Sequence, residues 1–346
     1  MGKIRIIKAG LSSTIQDQGR LGYRSRGISV SGAMDRIGAR LANMLVGNAP
    51  EEACIEMTLL GDTFVFSEDT IIAICGGDFS FKINGKPIGI NTSIPVVKGD
   101  ILTSEFALAG CRAYLALRGG LKTRVVLSSR STSVRESLGH FGGRKLRAGD
   151  ELPYTACSAS FTKQKVPADL LDRLYKPRPI RFTYGAKAKR FSDLSKGVFT
   201  ESDYKIGQSS DRMGYRLSGG FIHAQGGHDI ISGAVNFGSI QVPGNGQPII
   251  MMADCQTVGG YAKIGQVIQA DLPYLAQCKP GDTLKFQAVS VDEAIGQWRD
   301  LHSQIEGWSR EISASFREDE KDFEQKKYFE IAIDGNLYNV RVSDKI

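Results

Sequence analysis

Three short motifs occur twice along this chain of 346 residues, and they come in the same order each time. Each pair alone could arise by chance, but the shared order favours an internal duplication. We therefore predict two related halves on either side of a boundary at residues 166–179, where the composition shifts and prolines cluster. The pairs are RLGYR at 20–24 with RMGYR at 212–216, SGAMD at 31–35 with SGAVN at 232–236, and KGDIL at 98–102 with PGDTL at 280–284.

Short apolar runs separated by turn residues dominate both halves. The 40 glycines are scattered through the chain, which favours many short strands joined by turns over a helical protein. We therefore predict a mainly β fold with few helices. In the first half the predicted strands are residues 3–9 and then the runs TFVF, IIAIC, FSFKI, IPVV, AYLAL and VVL.

Two helices and a hairpin are predicted beside the strands. Residues 34–46 carry apolar side chains at helical spacing. Ser290 and Glu293 fit a capping box at the start of an apolar stripe, and the tail alternates around Asp334-Gly335 as in a hairpin. The predicted order is an N-terminal β domain at 1–165, a linker at 166–179, a C-terminal β domain at 180–289, a helix at 290–321 and a hairpin tail at 322–346.

Composition excludes several classes of function. The net charge of +7 comes without long basic runs, so it permits an anionic substrate but does not indicate nucleic acid. No apolar run reaches membrane-spanning length, and the six cysteines show no C-x-x-C spacing, so we expect a reduced, cytoplasmic protein. No phosphate-binding P-loop, nucleophile elbow or biotin-carrying lysine motif is present. His223 and His228 are interpreted as solvated loop residues, and no metal site is predicted.

A strand that ends in polar residues lies within the second half. The apolar run at 249–253 predicts a buried strand, and Asp254 follows it directly. A carboxylate there could accept from an amide or ureido N–H or act as a general base, and the adjacent Gly259-Gly260 would let backbone approach a ligand. The alternative is a tight turn in which Asp254 only caps backbone N–H groups.

Charged residues in glycine-rich loops form the other candidate set. The polar loop at 11–35 is too long for an ordinary connection. Arginine beside glycine suits a planar anion, because the guanidinium offers paired donors. The alternative is that neighbours such as Asp17–Arg20 and Asp211–Arg212 pair with each other to hold the loops. The set comprises Asp17, Arg20, Asp35, Arg118, Arg130, Asp211, Arg212, Arg216 and Asp254.

Several of these stretches closely resemble one known family. It is the carboxyltransferase-type family of the 5-oxoprolinase C subunit (PxpC), KipA and the second subunit or domain of urea carboxylase/allophanate hydrolase systems. The resemblance covers residues 4 to 286. The matching stretches include TIQDQGRLGY (14–23), GISVSGAMD (27–35), RAYLALRGG (112–120), SDRMGYRL (210–217) and GSIQVPGNGQPIIMMADCQTVGGY (238–261).

The resemblance implies a fold of two cyclophilin-like β-barrel halves and a function within a complex. The implied partners are a KipI/PxpB-like subunit and a LamB/YcsF-type PxpA-like subunit. The implied reaction is ATP-dependent opening of 5-oxoproline to glutamate, active only with both partners and with no cofactor bound covalently to this chain. Two alternatives remain: a biotin-dependent carboxyltransferase acting on urea-type amides, and a KipA-like regulator that binds a kinase inhibitor.

The resemblance also implies a ligand cleft between the two halves. Asp254, Arg212 and Arg216 would be its catalytic residues. The residues that would bind the small-molecule amide there are Arg20, Arg118, Gln241, Gln247, Gln256, Gly259, Gly260 and Tyr261.

Overall fold

Strands make up most of the protein, and the prediction of a mainly β fold built from two halves is confirmed. The computed structural model describes residues 1–157, 163–325, 328–333 and 336–341, with side chains described as far as residue 316. The helices in these ranges are α1 (Arg36–Leu45), α2 (Ala168–Tyr175), α3 (Asp193–Glu201), α4 (Leu272–Gln277) and α5 (Val291–Gln325).

Two antiparallel sheets pack face to face in the N-terminal half. Their strands are β1 (Gly2–Lys8), β2 (Ser12–Gln16), β3 (Cys54–Thr58), β4 (Thr63–Phe66), β5 (Thr70–Asp78), β6 (Lys82–Ile83), β7 (Lys86–Pro87), β8 (Ser93–Val96), β9 (Ile101–Thr103), β10 (Ala109–Leu117) and β11 (Glu151–Tyr154). The strand orders are β11-β1-β4-β9-β6-β7 and β2-β3-β10-β5-β8. Ile72 and Ile74 of β5 face the core between the sheets, whereas Ile71 and Ala73 face α1. Both faces of β5 are therefore covered, which explains its unbroken apolar run.

Helix α1 covers the outer face of the second sheet, and α5 packs against α1. Asp35 begins α1, because its side chain accepts a hydrogen bond from the backbone N–H of Gly38 at 2.8 Å. The capping box of α5 forms as predicted: the N–H of Ser290 donates to Glu293 at 2.7 Å, and the N–H of Glu293 donates to Ser290 at 3.1 Å. The apolar stripe of α5 is present as predicted, and its buried residues pack in one cluster with residues of α1.

One sheet curls into a nearly closed barrel in the C-terminal half. Its strands are β12 (Ile180–Tyr184), β13 (Tyr204–Ile206), β14 (Gly214–Ser218), β15 (Asp229–Ala234), β16 (Ser239–Val242), β17 (Ile249–Met251), β18 (Val258–Val267), β19 (Thr283–Leu284) and β20 (Phe286–Ala288). The order is β19-β13-β14-β17-β16-β18-β12-β20, with β15 paired to β18. Strands β19 and β20 are the first and last strands in this order, yet only Lys285 separates them along the chain. The two ends of the sheet are therefore brought together.

The third repeated motif adopts the same turn in both halves. The side chain of Asp100 accepts from the N–H of Val97 at 2.9 Å, and the side chain of Asp282 accepts from the N–H of Lys279 at 2.8 Å. Each turn leads directly into a strand, β9 or β19. The first motif differs between the copies, since Gly22 has a φ of 92° in a loop whereas Gly214 begins β14.

Some local predictions are wrong. The run VVL is no strand, because Leu127 and Ser128 have φ values of 53° and 60° and the chain turns there. Only the last two residues of FSFKI, Lys82–Ile83, form a strand. Helices α3 and α4 were not predicted; α3 begins at Ser192, whose hydroxyl accepts from the N–H of Ser195 at 3.2 Å.

The segment predicted as a linker, 166–179, contains α2. Leu170 and Leu174 are fully buried, because their spacing places both on one face of that helix. At the other end of the chain β21 (Tyr328–Ile333) and β22 (Asn336–Arg341) form the predicted antiparallel hairpin. Its turn at 334–335 lies outside the described residues.

Candidate functional site

An ion pair within the C-terminal half, between Arg212 and Asp254, lies where the two halves meet. Arg212 lies just before β14, and Asp254 follows β17. The guanidinium donates from Nε to Oδ2 and from Nη2 to Oδ1 of Asp254, both at 2.9 Å. The hydroxyl of Ser31, in the N-terminal half, donates to Oδ1 at 2.7 Å. Asp254 thus lies at the junction between the halves with both carboxylate oxygens occupied.

Arg212 also binds the N-terminal half directly. Its Nη1 donates to Glu56 on β3, and its Nη2 donates to the carbonyl of Gly32 at 2.6 Å. The second oxygen of Glu56 accepts from the N–H of Met34 and from the hydroxyl of Tyr114, each at 2.8 Å. Buried charges are tolerated when their remaining donors and acceptors are satisfied in this way. The network therefore fixes how the halves sit against each other.

A second polar junction lies beside the first. Arg112 on β10 donates from Nη1 to the hydroxyl of Tyr215 and to the carbonyl of Ala276, each at 2.7 Å. Gln277 accepts from the N–H of Arg112 at 3.0 Å and donates to Asp35 at 3.0 Å. Sequence reasoning missed Arg112 and Gln277 here. The sequence signal that could have identified Arg112 is its position at the start of the apolar run RAYLAL. A charge in such a buried strand needs a buried partner.

Burial and paired charges set the protonation of these groups. Burial alone lowers the pKa of Arg212, but the charges of Asp254 and Glu56 more than offset this, and the pKa stands above its usual value. Arg212 is therefore a fixed cation. Burial raises the pKa of the Asp35 carboxyl, although hydrogen bonds from Gly38 and others act in the opposite direction.

Four of the predicted site residues line one cavity of about 440 Å³ in the C-terminal half. They are Arg216 of β14, Gln241 of β16, Gln256 in the turn after β17, and Tyr261 of β18. These strands are neighbours in the barrel, so residues far apart in sequence come together. Asp211 is the carboxylate that lines the same cavity.

Polar atoms in this cavity lack partners within the described part of the chain. The guanidinium of Arg216, the amide of Gln256 and the hydroxyl of Tyr261 form no hydrogen bond to those residues. Gln241 is 2% exposed, and its amide nitrogen has no partner either. A buried donor without an acceptor costs about 1–3 kcal/mol, so a ligand that supplies an acceptor here is favoured.

Gly259 makes room for the amide of Gln241. A Cβ atom at residue 259 would lie 2.6 Å from the amide nitrogen of Gln241 and 2.9 Å from a methyl of Val235. At Gly260, the next residue of β18, the nearest atom would be 3.6 Å away, an ordinary contact. A side chain at residue 259 would therefore collide with the amide of Gln241, whereas residue 260 has room for a methyl group.

The other predicted ligand residues lie outside the cavity. Arg20 is fully buried in the N-terminal half. Gln247 accepts from the N–H of Gly219 at 2.7 Å and donates to its carbonyl at 3.3 Å. The guanidinium of Arg118 lies 5.5 Å from the ring centre of Phe316 on α5. The structure does not bring these three side chains together with Arg216.

The alternative reading of the charged loops was that Asp17 pairs with Arg20 and Asp211 with Arg212. Neither ion pair forms among the described residues. Asp17 accepts from the hydroxyl of Ser129 at 2.7 Å instead of from Arg20. Asp211 accepts from the N–H of Met213 at 2.8 Å. A hollow of about 610 Å³ does lie between the halves, but none of the predicted site residues lines it.

The described residues also bear on membrane and metal binding. None of their helices combines the length and the apolar character that crossing a membrane requires. Nowhere in the same ranges do three His, Cys, Asp or Glu side chains gather as a metal-ion site.

Comparison with known proteins identifies relatives over most of the chain. The family model for the carboxyltransferase domain, subdomain A and B, matches residues 26–288. A Haemophilus influenzae protein, named as the C subunit of 5-oxoprolinase, is 38% identical over 294 residues, which cover 84% of this chain and 93% of that protein. The Escherichia coli protein of the same name is 34% identical over 303 residues, covering 88% and 96%.

The fold is similar to a solved structure from the same family. The structure of Kluyveromyces lactis urea carboxylase matches with a TM-score of 0.78 at 30% identity, over 86% of this chain and 29% of that longer chain. By their names, these relatives are components of enzymes. The match over residues 26–288 and the 38% identity establish that the chain belongs to the carboxyltransferase domain family with subdomains A and B.

Proposed function

We propose that this chain is the C subunit of an ATP-dependent 5-oxoprolinase and that 5-oxoproline binds in the cavity beside Arg216. The bacterial relatives named as 5-oxoprolinase C subunits match over nearly their whole length. The single observation that carries the assignment of the site is the buried amide nitrogen of Gln241, which lacks a partner among the described residues and lines the same cavity as Arg216.

The cavity offers groups that complement both ends of 5-oxoproline. The free guanidinium of Arg216 can bind the substrate carboxylate through two parallel hydrogen bonds. The amides of Gln241 and Gln256 each offer a donor and an acceptor, which suit the lactam N–H and C=O. The chain's own residues would thus bind and orient the ring.

Asp254 does not act as a free base in this proposal. Its two oxygens already accept from Arg212 and Ser31. Its role is to hold the two halves together, so the ATP-dependent chemistry needs groups from other subunits. This reasoning supports an enzyme that is active only as a complex with KipI/PxpB-like and LamB/YcsF-like partners.

Reconstitution tests the proposal. The chain and its two partner subunits are mixed with 5-oxoproline and ATP, and glutamate is measured. We expect activity only from the trio. Arg216→Gln should lower kcat/KM about 10- to 150-fold, because a hydrogen bond to a charged group contributes about 1.5–3 kcal/mol.

The matched control is Arg5→Gln. Arg5 is an exposed arginine on β1 in the N-terminal half, and the barrel belongs to the C-terminal half. It should leave the activity unchanged. No glutamate from the assembled trio would contradict the function. Equal activity of the Arg216 and Arg5 variants would contradict the site.

Carboxyl transfer to urea is a second candidate function. The specific observation in its favour is the similarity to Kluyveromyces lactis urea carboxylase. The amides of Gln241 and Gln256 suit a ureido group as well as a lactam. In that case biotin would come on a carrier domain outside these 346 residues. Urea-dependent turnover with such a carrier, and none with 5-oxoproline, would select this function.

A further inference from the structure

An open groove lies between the halves, separate from the cavity beside Arg216. It is the hollow of about 610 Å³ bounded by the loop at 17–35, the barrel and the first turns of α5. Most of its lining residues are apolar, among them Phe237, Leu272 and Trp298. We call it the interdomain groove.

Large apolar side chains on the rim of the interdomain groove face water. Leu21 is 68% exposed, Val291 is 60% exposed and Ile295 is 42% exposed. The two α5 residues continue the apolar stripe of that helix beyond the part that α1 covers. Exposed apolar residues that cluster around a groove mark protein interaction sites.

The charge of the interdomain groove is of one sign. Three arginines line it, Arg24, Arg36 and Arg299, and no carboxylate of the described residues does. Arg36 is incompletely paired: its Nε is buried without a partner in the described part of the chain, its Nη2 donates to the carbonyl of Ser31 at 3.4 Å, and its guanidinium lies 5.6 Å from the ring centre of Phe237. Burial lowers the pKa of Arg36, and the nearby charge of Arg212 lowers it further. An incoming anion would compensate this charge.

We propose that the interdomain groove is the docking site for a segment of a partner subunit that carries an acidic side chain flanked by apolar ones. The acidic side chain pairs with Arg36, and the apolar ones cover Ile295 and its neighbours on the rim. A second copy of this chain fits poorly, because a two-fold contact through this groove would place arginines against arginines. The inference rests on the proposed function only in taking the partner from the same complex.

Site-specific photocrosslinking tests the docking site in the assembled complex. Benzoylphenylalanine is placed at Ile295 and, as the matched control, at Leu194, which is also apolar, helical and exposed but lies outside the groove. We expect residue 295 to crosslink to a partner peptide that contains Asp or Glu beside apolar residues. Residue 194 should not crosslink to that peptide.

A charge variant supplies the second measurement. Arg36→Gln should weaken binding of the partner about tenfold or more, whereas Arg36→Lys should retain most of the affinity. Thermal unfolding of the isolated variants checks that both are folded. If the crosslink and the loss of affinity are both seen, the docking site is supported.

The other outcomes overturn the proposal. Three results would overturn the docking site while leaving the proposed function intact. The complex could form without any crosslink from residue 295. Residue 295 could also crosslink to a second copy of this chain, or to a partner peptide without acidic residues. Failure of the three subunits to assemble would overturn the docking site and the proposed function together.

Discussion

Arg212 binds Asp254 through two hydrogen bonds of 2.9 Å, and the same guanidinium reaches Glu56 in the other half of the molecule. The side chains of Arg212 and Asp254 are 16% and 11% exposed. A carboxylate that the sequence marks as a catalytic candidate is thus bound within a structural junction. The groups that we propose to bind the substrate line the cavity beside Arg216.

Asp254→Asn should destabilise the protein strongly. The asparagine amide replaces one of the two oxygens that accept from Arg212, so a charge-assisted hydrogen bond is lost, at a cost of about 1.5–3 kcal/mol in the free energy of unfolding, although Glu56 still compensates the charge of Arg212. The control Glu105→Gln breaks the exposed pair with Lys82 and should cost less than about 1 kcal/mol. Urea unfolding measures both. If Asp254→Asn abolishes activity at unchanged stability, Asp254 is a catalytic group after all.

Gly259→Ala should weaken substrate binding, whereas Gly260→Ala should not. A methyl at residue 259 would overlap the amide of Gln241, so that amide must move. We expect KM for 5-oxoproline in the assembled complex to rise about 2- to 12-fold for the first variant, because the displaced amide loses a hydrogen bond to the substrate that contributes about 0.5–1.5 kcal/mol. Similar KM values for the two variants would show that the amide of Gln241 does not contact the substrate.

The pH dependence of stability should carry the signature of Asp35. Burial raises the pKa of this carboxyl in the folded protein above its unfolded value of about 3.9. The folded state therefore holds the proton more tightly, and this contribution to stability is lost as the pH rises through the folded pKa.

The comparison with Asp35→Asn isolates this effect. Denaturant unfolding of both proteins between about pH 4 and pH 7 should show the wild type losing stability relative to the variant as the pH rises. A difference that is flat, or that grows in favour of the wild type, would show that Asp35 is not buried as described.

Thiol labelling should distinguish Cys157 from the other cysteines. All six are free, and Cys157 alone is partly exposed. Burial raises the pKa of Cys255 to about 11 and that of Cys278 to about 12, which keeps both thiols unreactive near neutral pH. A thiol reagent should modify one cysteine in the native protein and all six after unfolding. Rapid labelling of Cys255 would contradict the packing at the junction between the halves.

The fold was largely predictable because its signals are local. Apolar runs predicted strands β1, β4, β5, β8, β10 and β17, and the capping box at Ser290 located the start of α5. The run VVL failed because an apolar composition does not reveal the left-handed backbone at Leu127 and Ser128. Helix α2 was missed because the prolines around it suggested a linker.

The site was only partly predictable, for a different reason. Arg216, Gln241, Gln256 and Tyr261 do line one cavity, and family motifs pointed to all four. Arginine pairing, in contrast, depends on contacts between residues far apart in sequence. Asp211 precedes Arg212 along the chain, yet Arg212 pairs with Asp254 across the fold. No spacing in the sequence reveals that choice.

The most direct test of the account is a crystal structure of the assembled complex with 5-oxoproline. The account predicts that the substrate carboxylate lies within hydrogen-bonding distance of the Arg216 guanidinium and that the lactam contacts the amide of Gln241. A substrate bound in another subunit, or between the halves away from Arg216, would contradict it.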